Sequence, residues 1–338
     1  MLTRADESDL IDDIKEGIGI ALEWRGASAT SIDSIKLNKL VYLAVQRLEV
    51  PLTFGWYKYG PAPVDLQYSE TAVSATSQDD LDAPHESRIP DRGYYSPMEY
   101  AYFFDETLDE FDVILQARTK EFLISFYERE APEPYGNLYV KNAQLQQILD
   151  EIKSDDTWHD DADVYYREVS QRIGELTREL MKIESLREVQ APFRLYARFL
   201  KQLIANASAQ DALSASQQRF IKRIVDYYYG GAWKYVALKI SENTVPLSPG
   251  NNKDKLLTSI ENNRQEMRSD YQDDLDTFKE RAVRLDLAQE TARDNSVSPS
   301  DSGSNEPSDR ERAELWSRAS AEALNKSYKK SETPDDRS

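Results

Sequence analysis

The sequence predicts a mainly α-helical protein with one short β element, and three observations carry that reading. Apolar residues recur at helical spacing through most of the chain. One stretch, residues 52–57, switches instead to a period of two. Between the periodic segments, Pro, Gly, Ser and Asp gather where helices have to stop.

Leu10, Ile14, Ile18 and Leu22 lie four apart and define a first helix, which Gly26 and a small polar run end. Leu37, Leu40, Val41, Ala44 and Leu48 then mark one face of a second helix, with Ser31 or Asp33 as its cap. After Pro51, Leu52, Phe54 and Trp56 point one way while Thr53, Gly55 and Tyr57 point the other, as in a strand. Gly60 precedes Pro61 and is pushed away from the α region, and Pro63 fixes a second φ. Gly60, Pro61 and Pro63 therefore read as a stiff structural turn.

Periodicity fades from Ser69 to Pro97, which predicts an inserted loop over 69–97. Phe104, Leu108, Phe111, Leu115, Phe122 and Phe126 predict one long aromatic helix, stopped by Pro132 and Pro134. A helix over about 138–152 completes a first unit, residues 1–155. Beyond an acidic link, Ala162, Tyr166, Val169, Ile173, Leu176, Leu180 and Ile183 alternate steps of four and three, a coiled-coil-like seam. Pro192 resets the chain before helices marked by Phe193, Tyr196, Leu200 and Leu203, by Phe220, Ile224 and Tyr228, and by Trp233, Val236 and Ile240. Leu256 to Leu285 mark a last long helix, expected to pair antiparallel with the seam. Residues 156–293 thus read as an elongated helical second unit, with 160–186 and 256–285 as faces for a homodimer or a partner. Residues 294–309 have almost no apolar groups, and 294–338 as a whole predict a disordered acidic tail in which Leu315, Trp316 and Leu324 mark a transient helix.

Among the 338 residues, 61 are acidic and 42 basic, a net charge of -19. The tail from Asp294 holds only 10 acidic and 7 basic residues, so the acidity belongs to the folded part. Such a charge repels duplex nucleic acid and suits a solvated surface in a salt-rich cytoplasm, which points to a halophilic host. Absence of cysteine removes disulfides, thiolate nucleophiles and cysteine-ligated zinc. No stretch approaches the roughly 20 consecutive apolar residues of a membrane span, and the amino terminus lacks a secretory pattern, so a cytoplasmic protein is expected.

No phosphate-loop, dinucleotide, zinc-protease or hydrolase signature is present, and neither catalytic residues nor a cofactor are assigned. His159 stands among Asp155, Asp156, Asp160, Asp161 and Asp163, which suggests a metal-dependent enzyme of unfamiliar type, yet an exposed acidic link explains the same residues. Arg194, Arg198 and Lys201 with Arg219, Lys222, Arg223 and the tyrosines 227–229 form the one basic-aromatic concentration. They read as a nucleic-acid surface, or as the polar side of two amphipathic helices. Six cations against a strongly acidic whole favour the second. Lys36, Lys39, Trp56, Tyr57, Lys58 and Tyr59 form the candidate partner-binding set, since aromatics with adjacent cations suit a protein hot spot. The competing reading has Trp56 in the core and the lysines merely wetted.

Lys36-Leu37, Lys39-Leu40 and Tyr42, followed by an aromatic strand and Tyr59-Gly60-Pro61, resemble the Panacea domain, an antitoxin-type module. The resemblance covers about residues 10–155 and is specific between 36 and 61. It departs at Ala62, where the family favours a β-branched residue, and at the second proline, Pro63. It implies a helical domain that acts by binding, with a toxin-like protein as partner.

Overall fold

In the computed structural model, which describes residues 2–27, 32–63, 87–89 and 94–288, Thr3 opens the first helix. Its hydroxyl accepts from the Asp6 N–H at 3.2 Å while the Asp6 carboxylate accepts from the Thr3 N–H at 2.7 Å, a reciprocal cap for α1 (Arg4–Trp24). Leu10, Ile14, Ile18 and Leu22 are buried, and Gly26 turns the chain away at φ +63°. Asp33 caps α2 (Ser34–Arg47) by accepting from the Lys36 N–H at 2.8 Å. The other cap considered, Ser31, lies outside the described residues, as do most of the inserted loop 69–97 and all of the tail 294–338.

The strand reading needs one correction. Gly60 and Pro61 begin a return strand, so that β1 (Phe54–Tyr57) and β2 (Gly60–Pro63) form an antiparallel hairpin around Lys58 and Tyr59. Tyr57 faces Gly60, Trp56 faces Pro61, Gly55 faces Ala62 and Phe54 faces Pro63. Strand prolines argue against a ladder unless their missing donors are not needed. In a two-residue hairpin, the pair flanking the turn is hydrogen-bonded and the next is not. Pro61 and Pro63 therefore occupy positions where an N–H would point away from β1. The facing Trp56 shows the same geometry: its N–H leaves the ladder and donates to Thr244 Oγ1 at 3.0 Å.

The predicted long aromatic helix is broken into α3 (Pro97–Tyr102), a π turn over Phe103–Thr107, α4 (Phe111–Gln116) and α5 (Thr119–Glu130). Leu108 leaves the helical region at ψ 86°, and Ala117 and Arg118 are extended. Breaking there lets Phe104 and Phe111 pack together, with ring centroids 5.7 Å apart, while Phe122 and Phe126 turn toward the hairpin.

The remaining helices are α6 (Gly136–Ser154), α7 (Ala162–Lys182), α8 (Arg187–Ser208), α9 (Ala215–Tyr227), α10 (Trp233–Thr244) and α11 (Lys253–Arg284), with a second π turn, Tyr228–Ala232, joining α9 to α10. Pro192 does not reset the chain. It lies inside α8 as the sixth residue of the helix, past the first turn, where it leaves the Glu188 carbonyl without the usual i−4 donor. The seam of α7 is buried except at Tyr166, but against α6 and α8, and α11 packs on α8 and α10 instead of pairing with the seam.

Residues Met1–Gln289 form one compact unit with a continuous hydrophobic core, which crosses the boundary expected at 155. The hairpin explains why: β1 lies on α10 and β2 on α2. A buried carboxylate adds a second crossing. Glu7 in α1 accepts from Thr53 N at 3.1 Å, Thr53 Oγ1 at 2.9 Å, Asn252 Nδ2 at 2.8 Å and Asn251 N at 3.3 Å. Four donors on one buried carboxylate meet the condition for keeping such a group inside.

Candidate functional site

The six residues expected to bind a partner do come together, but most face inward. Lys36 and Lys39 are buried and donate to backbone carbonyls, Lys36 to Leu115 at 3.1 Å and Lys39 to Pro61 at 3.2 Å. Their long stems follow the apolar face of α2 inward, which the assumption of wetted lysines missed. Trp56 is also buried, with Tyr42, Phe126, Tyr127 and Tyr139 around it at centroid distances of 5.7, 6.2, 6.4 and 5.3 Å. Tyr57 is buried, and its carbonyl accepts from the Tyr139 hydroxyl at 2.7 Å. Lys58 is half-buried, with burial pushing its ammonium pKa down. These residues build the platform, and only Tyr59, at 36% exposure on the hairpin tip, presents a side chain outward.

The turn residues carry that tip. Gly60 has φ +89°, and a Cβ there would stand 2.9 Å from the Tyr127 ring, so glycine is required on both counts. Tyr59 stacks on Tyr229 of the second π turn, with centroids 5.1 Å apart and planes 17° from parallel. A π turn adds a residue to the helical repeat and rotates side chains that an α-helix would point elsewhere. Here Tyr228 donates to Asn142 at 2.6 Å inside the core, while its neighbour Tyr229 reaches Tyr59.

The stacked pair forms one wall of a cleft of about 390 Å³ between α5, α6 and α9. Leu123, Leu149 and Val225 give it an apolar floor. Two ion pairs stand at its edge, Lys120 with Asp150 at 2.7 Å and Lys153 with Asp226 at 2.5 Å. Behind its wall, two polar atoms closed to solvent have no partner among the described residues: Gln146 Nε2, on a side chain only 7% exposed, and the Tyr229 hydroxyl. Burial raises the Tyr229 pKa well above its ordinary value, so the hydroxyl keeps its proton. What the cleft itself offers is an apolar floor beside the Tyr59–Tyr229 stack, rimmed by two ion pairs, a lining suited to an apolar ligand. Sequence reasoning had marked Tyr59 and the tyrosine run, but not Gln146, whose amide is indistinguishable in sequence from any other on a helix.

The basic-aromatic concentration divides. Arg194, Arg198 and Lys201 line a separate cavity beside α7. On α9, Lys222 pairs with Asp156, Arg223 lies over the Phe278 ring at 5.6 Å, and Arg219 donates to the Ala215 carbonyl at 3.1 Å. Those three are occupied within the chain. His159 turns its Nε2 to the Ala207 carbonyl at 3.0 Å, and no cluster of three or more metal-ligating side chains occurs among the described residues. No described helix is long and apolar enough to cross a membrane.

Fold and cleft together define a helical protein with a β-hairpin in its core and a cleft at the hairpin tip. A family model described as a domain of unknown function (DUF8098) matches residues 1–84 and 62–306, so the chain belongs to that family. The second match runs across the α6–α7 link, as the hydrophobic core does. No curated protein and no solved structure matches the chain.

Proposed function

We propose that this chain is a non-catalytic cytoplasmic regulator, antitoxin-like in action, that restrains a partner protein by seating one of its segments in the cleft beside Tyr59. The resemblance of residues 36–61 to the Panacea domain supplies the antitoxin element of this reading. The observation that carries the binding element is the apolar floor of Leu123, Leu149 and Val225 beside the exposed Tyr59 and its stacking partner Tyr229. A peptide segment supplies an apolar side chain for that floor and a surface to lie against the stacked rings.

A photo-crosslinking amino acid placed at Tyr59 in the native host tests the proposal. One discrete protein should be captured, capture should be lost in Ile35→Glu, which puts a charge into the apolar lining, and expression of the captured protein alone should slow growth until this chain is supplied. Capture unaffected by Ile35→Glu, or a captured protein without effect on growth, would refute it.

A further inference from the structure

Arg194, Arg198 and Lys201 follow each other at i, i+4 and i+7 on α8, and all three line a cavity of about 250 Å³ against α7. Like charges so spaced disfavour a helix by a few tenths of a kcal/mol per pair. The chain has 61 acidic side chains to offer as counter-charges, yet among the described residues no carboxylate lines this cavity. Elsewhere cations meet them readily: Arg25 is held by Asp105 and Asp112 at 2.5 Å each, and Arg264 lies within 3.0 Å of Glu242 and 2.7 Å of Glu261. Among the described residues, no side-chain ion pair or hydrogen bond engages Arg194, Arg198 or Lys201.

The facing wall is shaped by Gly174, inside α7. A glycine there costs the helix about 1 kcal/mol relative to alanine. Close helix packing does not require it, since a Cβ at Gly174 would meet nothing within 4 Å. Its effect is to leave room in front of the cations. Thr177 adds a hydroxyl one turn further on.

We propose that this cavity is a binding site for a small polyanion, a phosphate-bearing ligand whose oxygens are shared by Arg194, Arg198 and Lys201. Two guanidinium forks and an ammonium suit phosphate oxygens, which accept several charge-assisted hydrogen bonds at once. The cavity is open to solvent, with Arg194 and Arg198 exposed at its rim, and has room for one or two phosphate groups. An extended nucleic acid would have to lie along a surface of net charge -19, and the three α9 cations that would continue its track are already engaged. The site is separate from the cleft beside Tyr59 and stands whether or not that cleft takes a protein.

Titration calorimetry of the full chain with inorganic pyrophosphate, and separately with inorganic phosphate, tests the assignment. Pyrophosphate should bind saturably at one site and more tightly than phosphate, and weaken as salt is raised. Arg198→Ala should weaken it about tenfold or more, as loss of a charge-assisted fork does. Arg198→Lys should fall between, and Gly174→Leu should weaken binding by filling the cavity. Lys222→Ala, which removes a cation outside the cavity, should leave affinity unchanged, with circular dichroism confirming that each variant is folded. Absence of saturable heat at about 10 mM pyrophosphate, well above a Kd near 1 mM, would overturn the site. So would equal binding by Arg198→Ala and wild type. Tighter binding of a single-stranded oligonucleotide, lost in Lys222→Ala, would overturn the small-ligand assignment in favour of nucleic acid.

Discussion

Lys39 Nζ lies 3.2 Å from the Pro61 carbonyl oxygen, in the core, with the Phe126 ring centroid 5.7 Å away. Burial, only partly offset by Asp33, brings its pKa down from 10.5 to about 7. Between those values the unfolded chain holds a proton that the native chain has released, so stability rises with pH from about 7 to about 10.5. Below pH 7 both states are protonated at this site, and the full cost of the buried charge, a few kcal/mol, is present. Lys39→Met removes that cost and leaves the Pro61 carbonyl unpaired. The variant should be more stable than wild type by about 2 kcal/mol at pH 6, with the gap closing by pH 9.5. Urea denaturation at both pH values checks this, and a gap independent of pH would show that Lys39 does not titrate there.

Gly60→Ala should destabilise by about 2–3 kcal/mol, because it strains a left-handed residue and drives a methyl group into the Tyr127 ring. Thermal unfolding reads this directly. A loss under about 0.5 kcal/mol, the range of an inert surface change, would mean that the hairpin tip yields easily.

Trp56→Ala empties the centre of the aromatic cluster and should cost about 3–5 kcal/mol. Tyr59→Ala, at the exposed end of the same hairpin, should cost under about 1 kcal/mol. Partner capture should show the reverse order once stability is matched, with Tyr59→Ala the more damaging. Chemical denaturation paired with a binding assay separates the two effects.

Glu7→Ala leaves the Thr53 and Asn252 donors facing an empty acceptor position. Coupling between Glu7→Ala and Asn252→Ala should be about 1–3 kcal/mol in a double-mutant cycle, as expected for residues sharing one network. Additive losses would show that the carboxylate and the amide act independently.

Much of this architecture is written in local pattern. The faces of α1 and α2, the Asp33 cap and the strand period of Phe54 and Trp56 are all set within a few residues, and all appear in the structure. What local pattern hides is destination. Lys36 and Lys39 look like solvated charges until tertiary packing supplies carbonyls for them inside. Pro61 and Pro63 read as a strand's end because their place at non-hydrogen-bonded positions depends on a register that two segments set together. The aromatic run 104–126 carries no proline at its breaks, so only the competing demands of the core show why it divides. Tyr59 was legible as a surface feature, whereas its stacking partner Tyr229 stands 170 positions along the chain and depends on a π turn that no local signal announces.

The reach of Glu7 has a bearing on how the protein is made. Its carboxylate is synthesised 245 residues before the Asn252 amide that completes its shell. At translation rates of roughly 5–20 residues per second, that is a delay of about 10–50 s. Throughout it the carboxylate has only the two Thr53 donors, and the two from Asn251 and Asn252 arrive last. A chain cut short before residue 251 should therefore hold Glu7 less firmly, and be digested faster, than the full chain.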